Sequence, residues 1–344
     1  MTERRAARSA IRAAQQKQIT FAQAAQTYIA AHEAGWKNAK HAWQWQRSLE
    51  LFAFPKIGQL DVADIGMVQV LDVLQPIWRT KTETASRVRG RIELILALAD
   101  KRAERERLNP ARWRGHLDTQ LPARTKVSKP KHHAALPVSE VRSFIATLRR
   151  QEGSAARALE FAVLTAARSG EVRFATWPEI DFKSRTWTVP AERMKGGREH
   201  RVPLSAAAIS LLESIPLVGG SEVVFQAPRG GVLSDMTLVA VCRRMEANCV
   251  PHGFRSTFRD WCAENTNVAR EVAEMALAHA VGNEVEAAYR RGDLFEKRRA
   301  LMDEWAAFCL GDNLRPRGRQ MSSAVRSQRS ARPLTSSYKP TKFR

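Results

Sequence analysis

Residues 185–204, RTWTVPAERMKGGREHRVPL, set the fold class. Positions 185–189 alternate apolar and polar side chains at the two-residue period of a half-buried strand. The KGGR stretch at 195–198 predicts a tight turn, since paired glycines accept the backbone angles that turns demand. Positions 200–204 alternate again and predict the returning strand. The pattern around this hairpin is helical. Upstream, Pro137 and Ser139 open a helix carrying Val141, Phe144, Ile145 and Leu148 on one face. A second runs over 154–168 with Ala158, Phe161, Ala162 and Leu164 inward. Downstream, 205–212 and 235–247 are helical, 223–225 makes a short strand, and the helical pattern continues to 310. Residues 136–310 are therefore expected to form a mostly α domain with one small antiparallel β-sheet.

The N-terminal third is helical too. Thr20 is placed to cap a helix whose face holds Phe21, Ala24, Ala25, Tyr28, Ile29 and His32. Helices follow at 39–54, ended by Pro55, and from Asp64 or Ile65 to Pro76, with Val68, Leu71, Val73 and Leu74 apolar. A fourth spans 81–106 and carries Ile92, Ile95, Leu96 and Leu98. Short connections between these helices predict a small bundle over 19–115. Residues 116–135 combine prolines and basic side chains with few apolar ones and are expected to be a basic linker. Residues 1–18 read as a basic N-terminal segment. Residues 311–344, rich in Arg, Ser, Pro and Gln, read as a disordered basic tail.

The 344 residues suffice for two domains, and 44% hydrophobic content is ordinary for a globular chain. Charge is not ordinary: 56 Lys and Arg face 35 Asp and Glu, for a net +21. Such a surplus points to a polyanionic partner. Both ends contribute, but Arg124, Lys126, Lys129 and Lys131 crowd one acid-free stretch and are candidates for DNA-backbone contact. No run of eighteen apolar residues occurs, and the start has no apolar leader core, so a cytoplasmic protein without membrane association is expected. The cysteines (Cys242, Cys249, Cys262 and Cys309) lack CxxC spacing. Cys242, Cys249 and His252 fall short of a regular metal-ligand set.

Several residues could carry chemistry, although each alone has a packing explanation. Arg168, in TAARSGEVR, ends an apolar helix with Glu171 three residues on, a spacing that pairs them on one face. Lys195 sits at the hairpin tip. His252 and Arg255, in PHGFRSTFRDW, lie at i and i+3 and could converge on one anion. His279 stands in LAHAVG. Tyrosine is scarce: Tyr28 belongs to an apolar face, Tyr338 to the tail, and Tyr289 to the basic helical stretch NEVEAAYRRGD.

Taken together, the order Arg…Lys…His-x-x-Arg…His…Tyr resembles the catalytic set of the tyrosine recombinase, or phage integrase, family. The segments ALEFAVLTAARSGEVRFATWPEIDF, WTVPAERMKGGREHRVPLS, HGFRSTFRDW and LAHAVGNEVEAAYRRGDLFEKRRALMDEWAAF look particularly like prophage and genomic-island integrases that insert at tRNA genes. The likeness covers roughly 19–310, including AWQWQRSLELFAFPKIGQLDVADI and ETASRVRGRIE in the first domain. It implies a mainly α fold with a core-type DNA-binding domain and a catalytic domain. Integrases of this subgroup usually carry a further N-terminal arm-binding domain, and only eighteen residues precede the helical region here.

The resemblance also implies roles. Tyr289 would attack a DNA phosphate to give a 3′-phosphotyrosyl link, and His252 would manage its proton. Arg168 and Arg255 would hold the non-bridging oxygens, His279 would hydrogen-bond the phosphate, and Lys195 would protonate the departing 5′-oxygen. Glu171 would orient the framework. No cofactor and no metal are called for. The implied partners are double-stranded DNA at core attachment sites, three further copies in a homotetramer, and an accessory DNA-bending or directionality protein in the nucleoid. The helix at 294–310 could pack on a neighbouring subunit or within its own chain. Two alternatives stay open on sequence: a truncated remnant that only binds DNA, and type IB topoisomerase-like relaxation.

Overall fold

The computed structural model describes residues 18–36, 39–128, 133–217, 219–279 and 292–311. Tyr289, Lys129, Lys131, nearly all of the basic N-terminal segment and nearly all of the C-terminal tail lie outside them. The chain divides into two compact units at His132 and His133.

The first unit is a helical bundle. Helix α1 (Phe21–His32) opens on a reciprocal cap: Gln23 N donates to Thr20 Oγ1 at 3.3 Å, and Thr20 N donates to Gln23 Oε1 at 3.0 Å. Its inward face holds Phe21, Ala24, Ala25 and Tyr28, as the spacing predicts. Helix α2 (Ala39–Ser48) does not stop at Pro55. It passes through a π turn, Leu49–Ala53, into α3 (Phe54–Ile57). Phe54 N reaches back to Leu49 O, so the wider register carries the chain into the position where Pro55 has no N–H to give. Helix α4 (Met67–Trp78) begins later than expected, leaves Val68 exposed and runs past Pro76. The core closes on α5 (Thr82–Arg102), through Val88, Ile92, Ile95 and Leu96.

The expected linker is the main correction in this unit. Leu117 and Leu121 are buried in the bundle core, and Trp78 Nε1 donates to Pro122 O at 2.9 Å. Arg124, on the short helix α6 (Arg124–Val127), is ion-paired to Glu83, and Lys126 is exposed. Two leucines and one side-chain hydrogen bond suffice to dock the stretch on the bundle.

The second unit packs helices around a three-stranded antiparallel sheet of order β1-β2-β3: Ile180–Asp181, Thr186–Val189 and His200–Pro203. Trp187 pairs with Val202 and is fully buried, so truncating it to Ala would cost about 3–5 kcal/mol. The hairpin lies where its alternation predicts, and β1 is an addition. The expected strand at 223–225 is instead a single bridge from Val223 to Thr176. Thr176 leads at once into a turn with Pro178, which has no N–H to extend a ladder.

Helices α7 (Val141–Arg149) and α8 (Ser154–Thr165) form the centre, followed by α9 (Ser169–Arg173), α10 (Ala206–Glu213), α11 (Thr237–Arg244), α12 (Gly253–Asn265) and α13 (Arg270–Ala276). The last helix, α14 (Phe295–Leu310), packs within its own chain. Trp305 is buried against Phe258 and Trp261, and its Nε1 donates to Val163 O at 2.8 Å. Among the described residues, no helix is long and apolar enough to cross a membrane.

Candidate active site

Two helix ends and one helix start build the site. Helix α8 terminates at Ala166, whose φ of 51° is left-handed, and the turn after α13 contains Ala278 at φ 48°. A side chain in that conformation costs about 1 kcal/mol, and both positions turn their carbonyls toward arginines. Arg255 Nη1 donates to Ala166 O at 2.6 Å and its Nη2 to Leu277 O at 2.5 Å. Arg168 Nη2 donates to Ala278 O at 3.3 Å and more weakly to Leu277 O at 3.5 Å. The two guanidiniums thus share an acceptor, and their partners are the negative ends of helices.

Carboxylates stand one step behind. Glu171 binds Arg168 twice, accepting its backbone N–H at 2.9 Å and Nη1 at 2.6 Å, which fixes the Arg168 backbone as the cap of α9. Arg255 forms no salt bridge among the described residues and is only 5% exposed. Burial, and next the neighbouring Arg168, lower its pKa to about 10, so it remains a cation at neutral pH. A buried cation without a carboxylate of its own is a place for an anion.

His252 precedes α12 on the rim. Gly253 is required there: a Cβ would meet Ala134 O at 2.0 Å. That close approach, with Val250 N donating to Ala134 O at 3.1 Å, lays residues 133–135 across the start of the helix. The His133 and His252 rings thereby meet edge to face, centroids 4.6 Å apart. Burial, then His133 and the two arginines, lower the His252 pKa, so the ring is a neutral proton acceptor at neutral pH. His279 bonds Arg255 Nη2 through Nε2 at 3.1 Å and Glu274 through Nδ1 at 2.7 Å.

The structure thus brings Arg168, Glu171, His252, Arg255 and His279 together. Lys195 stands apart, exposed in the β2–β3 turn, with no hydrogen bond or ion pair to its side chain among the described residues. Three neighbours escaped the sequence reading. His133 lay in the supposed linker. Glu274 is five residues before His279, a spacing with no helical-face signature. His200, on β3, is held near Arg168 and Glu171 and accepts no proton until its pKa of about 4, because burial, then Arg298, disfavour the cation.

Beside this cluster, Asp293 is clamped to β3. Arg201 binds it bidentately, Nε to Oδ2 at 3.1 Å and Nη2 to Oδ1 at 3.0 Å, and the fully buried Arg298 Nη2 reaches Oδ2 at 2.7 Å. Cys242 and Cys249 are buried free thiols.

The buried Arg255, the half-buried Arg168 and the flanking His252 and His279 thus form a cationic cluster on this α-rich frame, with Lys195 outside it. The chain matches the phage integrase central domain over residues 21–116 and the phage integrase family over residues 135–294. It is 32% identical over 293 residues to prophage integrase IntZ of Escherichia coli K12, covering 83% of this chain and 70% of that one. It is 30% identical over 285 residues to the integrase of Enterobacteria phage P4, covering 76% and 63%. In fold it is similar to a lambda integrase tetramer bound to a Holliday junction, at a TM-score of 0.60 and 17% identity over 77% of this chain and 79% of that one. The Tn1549 transposon integrase in complex with circular intermediate DNA gives a TM-score of 0.60 at 14% identity, over 83% and 99%. The chain belongs to the phage integrase family. It is a tyrosine-type site-specific recombinase.

Proposed function

We propose that the protein cuts and rejoins double-stranded DNA through a 3′-phosphotyrosyl intermediate on Tyr289, in the integration and excision of a prophage or genomic island. The observation that carries this reading is Arg255, buried, cationic and bonded to carbonyls instead of a carboxylate. In the reaction the Tyr289 oxygen bonds to phosphorus while the bond to the 5′-oxygen breaks. His252 accepts the phenol proton, and Lys195 gives a proton to the departing oxygen. Arg168 and Arg255 hold the non-bridging oxygens, where negative charge concentrates as phosphorus becomes five-coordinate. Glu171 keeps Arg168 in place, and His279 adds a bond to the phosphate.

The helical bundle of the first unit would grip the core site, with Arg124, Lys126, Lys129 and Lys131 contacting backbone phosphates. Exchange between two duplexes needs four strands cut, hence a homotetramer, with an accessory DNA-bending or directionality protein setting the outcome. The similarity to a lambda integrase tetramer on a Holliday junction supports this assembly.

The test uses duplexes that the protein selects from a random-sequence pool, nicked so that the cut 5′ fragment diffuses away. A covalent protein–DNA adduct is expected with the native chain and is absent from Tyr289→Phe. Failure of the native chain to form it would overturn the reading. Strand exchange between two such duplexes, rather than relaxation of one circle, marks recombination.

A further inference from the structure

We propose that Glu274 is a positioning residue of this site, fixing both the tautomer and the charge with which His279 meets the DNA phosphate. The inference rests on the phosphoryl-transfer reading above. Its ground is a closed ring of contacts. Arg255 and Arg259 are four residues apart on α12 and face the same way. Arg259 Nε donates to Glu274 Oε1 at 2.8 Å, Glu274 Oε2 meets His279 Nδ1 at 2.7 Å, and His279 Nε2 meets Arg255 Nη2 at 3.1 Å. Burial alone would raise the Glu274 carboxyl, but its bonds to Arg259 and His279 outweigh that and bring it below the usual value. It is therefore an acceptor only.

The hydrogen positions follow from donor and acceptor chemistry. A carboxylate at Nδ1 requires a hydrogen there. A guanidinium at Nε2 requires a lone pair there. His279 in the free protein is thus the Nδ1–H tautomer, donating to Glu274 and accepting from Arg255. That state cannot serve the phosphate, because a lone pair would face an acceptor oxygen. When a phosphodiester takes over Arg255, Nε2 can bond it only after gaining a second proton.

Solvent supplies that proton, since the His279 side chain is 44% exposed. Glu274, on α13, is the group that favours the imidazolium. Arg255, 3.1 Å from Nε2, opposes it from α12, as does Arg168, which bonds the adjoining Ala278 carbonyl, while the neutral His252 ring brings no charge. Glu274 in turn faces Arg259 and, at 3.7 Å, Arg270. Without its full negative charge, only the bound phosphodiester would offset the two arginines beside the imidazolium. Glu274 therefore couples entry of the phosphate to uptake of one proton at His279.

The experiment measures single-turnover adduct formation on the nicked duplex from about pH 6 to about pH 9, where a histidine changes charge. It compares the native chain, Glu274→Gln, His279→Gln and the double variant. The glutamine of Glu274→Gln keeps an acceptor of the same length but lacks the charge. Glu274→Gln should be about tenfold slower at the alkaline end, the worth of a charge-assisted over a neutral hydrogen bond, and approach native rates at the acid end. In the His279→Gln background the second substitution should change nothing.

A loss that is the same at every pH, or losses that multiply in the double variant, would overturn the proposal. Histidine 15N spectra of the native chain provide a check free of substitutions: Nδ1 alone protonated without DNA, both nitrogens protonated with the nicked duplex. An Nε2–H tautomer in either state contradicts it. If the native chain forms no adduct, the phosphotyrosyl reading falls and takes this inference with it. If the native chain reacts and Glu274→Gln equals it throughout, this inference alone falls.

Discussion

Arg107 in the first unit and Arg255 in the second both bind backbone carbonyls, and they differ in whether a carboxylate joins them. Arg107 donates from Nη1 to Ala63 O at 2.9 Å and Ile65 O at 3.1 Å, and from Nη2 to Val62 O at 2.6 Å. Its Nε ends on Asp100 Oδ2 at 2.8 Å. Arg255 has the carbonyls of Ala166 and Leu277 and, in place of a carboxylate, the ring of His279. The first arginine is a staple between the end of α5 and the loop ahead of α4, with its charge neutralised where it stands. The second is oriented by the fold and has no ion pair among the described residues. A carbonyl cage alone does not tell the two apart; what sets Arg255 off is a missing carboxylate together with a second arginine on a shared carbonyl and a histidine at its Nη2.

Breaking the staple gives the larger expected effect on folding. Arg107→Ala removes four hydrogen bonds and leaves Asp100, which is 6% exposed, with only the longer Arg105 ion pair at 3.6 Å. The unfolding free energy of the chain should drop by about 3 kcal/mol, read from denaturant midpoints, with adduct formation per folded molecule unchanged. A smaller effect sharpens the other side. His200, near Arg168 and Glu171, is kept neutral by burial first and by Arg298 next, so that its pKa lies at about 4 instead of the ordinary 6.5. Between those values the unfolded chain takes up a proton that the folded one refuses. This stability is complete above about pH 6.5 and shrinks as pH falls toward about 4, by about 2 kcal/mol after allowing for partial exposure. Denaturation series across that window should show the slope in the native chain and a flatter one in His200→Gln.

Much of this was legible in the sequence, for identifiable reasons. Thr20 with Gln23 three residues on is a local signal, and the structure contains that cap. The hairpin strands carry their own period, and Trp187 and Val202 meet as the alternation requires. What failed depended on distant partners. Pro55 could be read as a helix end only while the π turn before it was invisible. Leu117, Leu121 and Pro122 look like linker until Trp78 and the bundle core receive them. In the site, Arg168, Glu171, His252, Arg255 and His279 were nominated by order and type, and they do converge. Glu274, His133 and His200 were not, since their relevance comes from whom they touch across 5, 119 and about 32 residues of chain.

Arg255→Ala, assayed for single-turnover adduct formation on the nicked duplex at a temperature where the variant is folded, bears most directly on the central claim. If Arg255 is reserved for the reacting phosphate, the rate falls about 100- to 1000-fold, the usual loss when one preorganised donor to a developing anion is removed. A folded Arg255→Ala protein that forms the adduct at the native rate would make Arg255 a second staple like Arg107, and the site would have to be sought elsewhere.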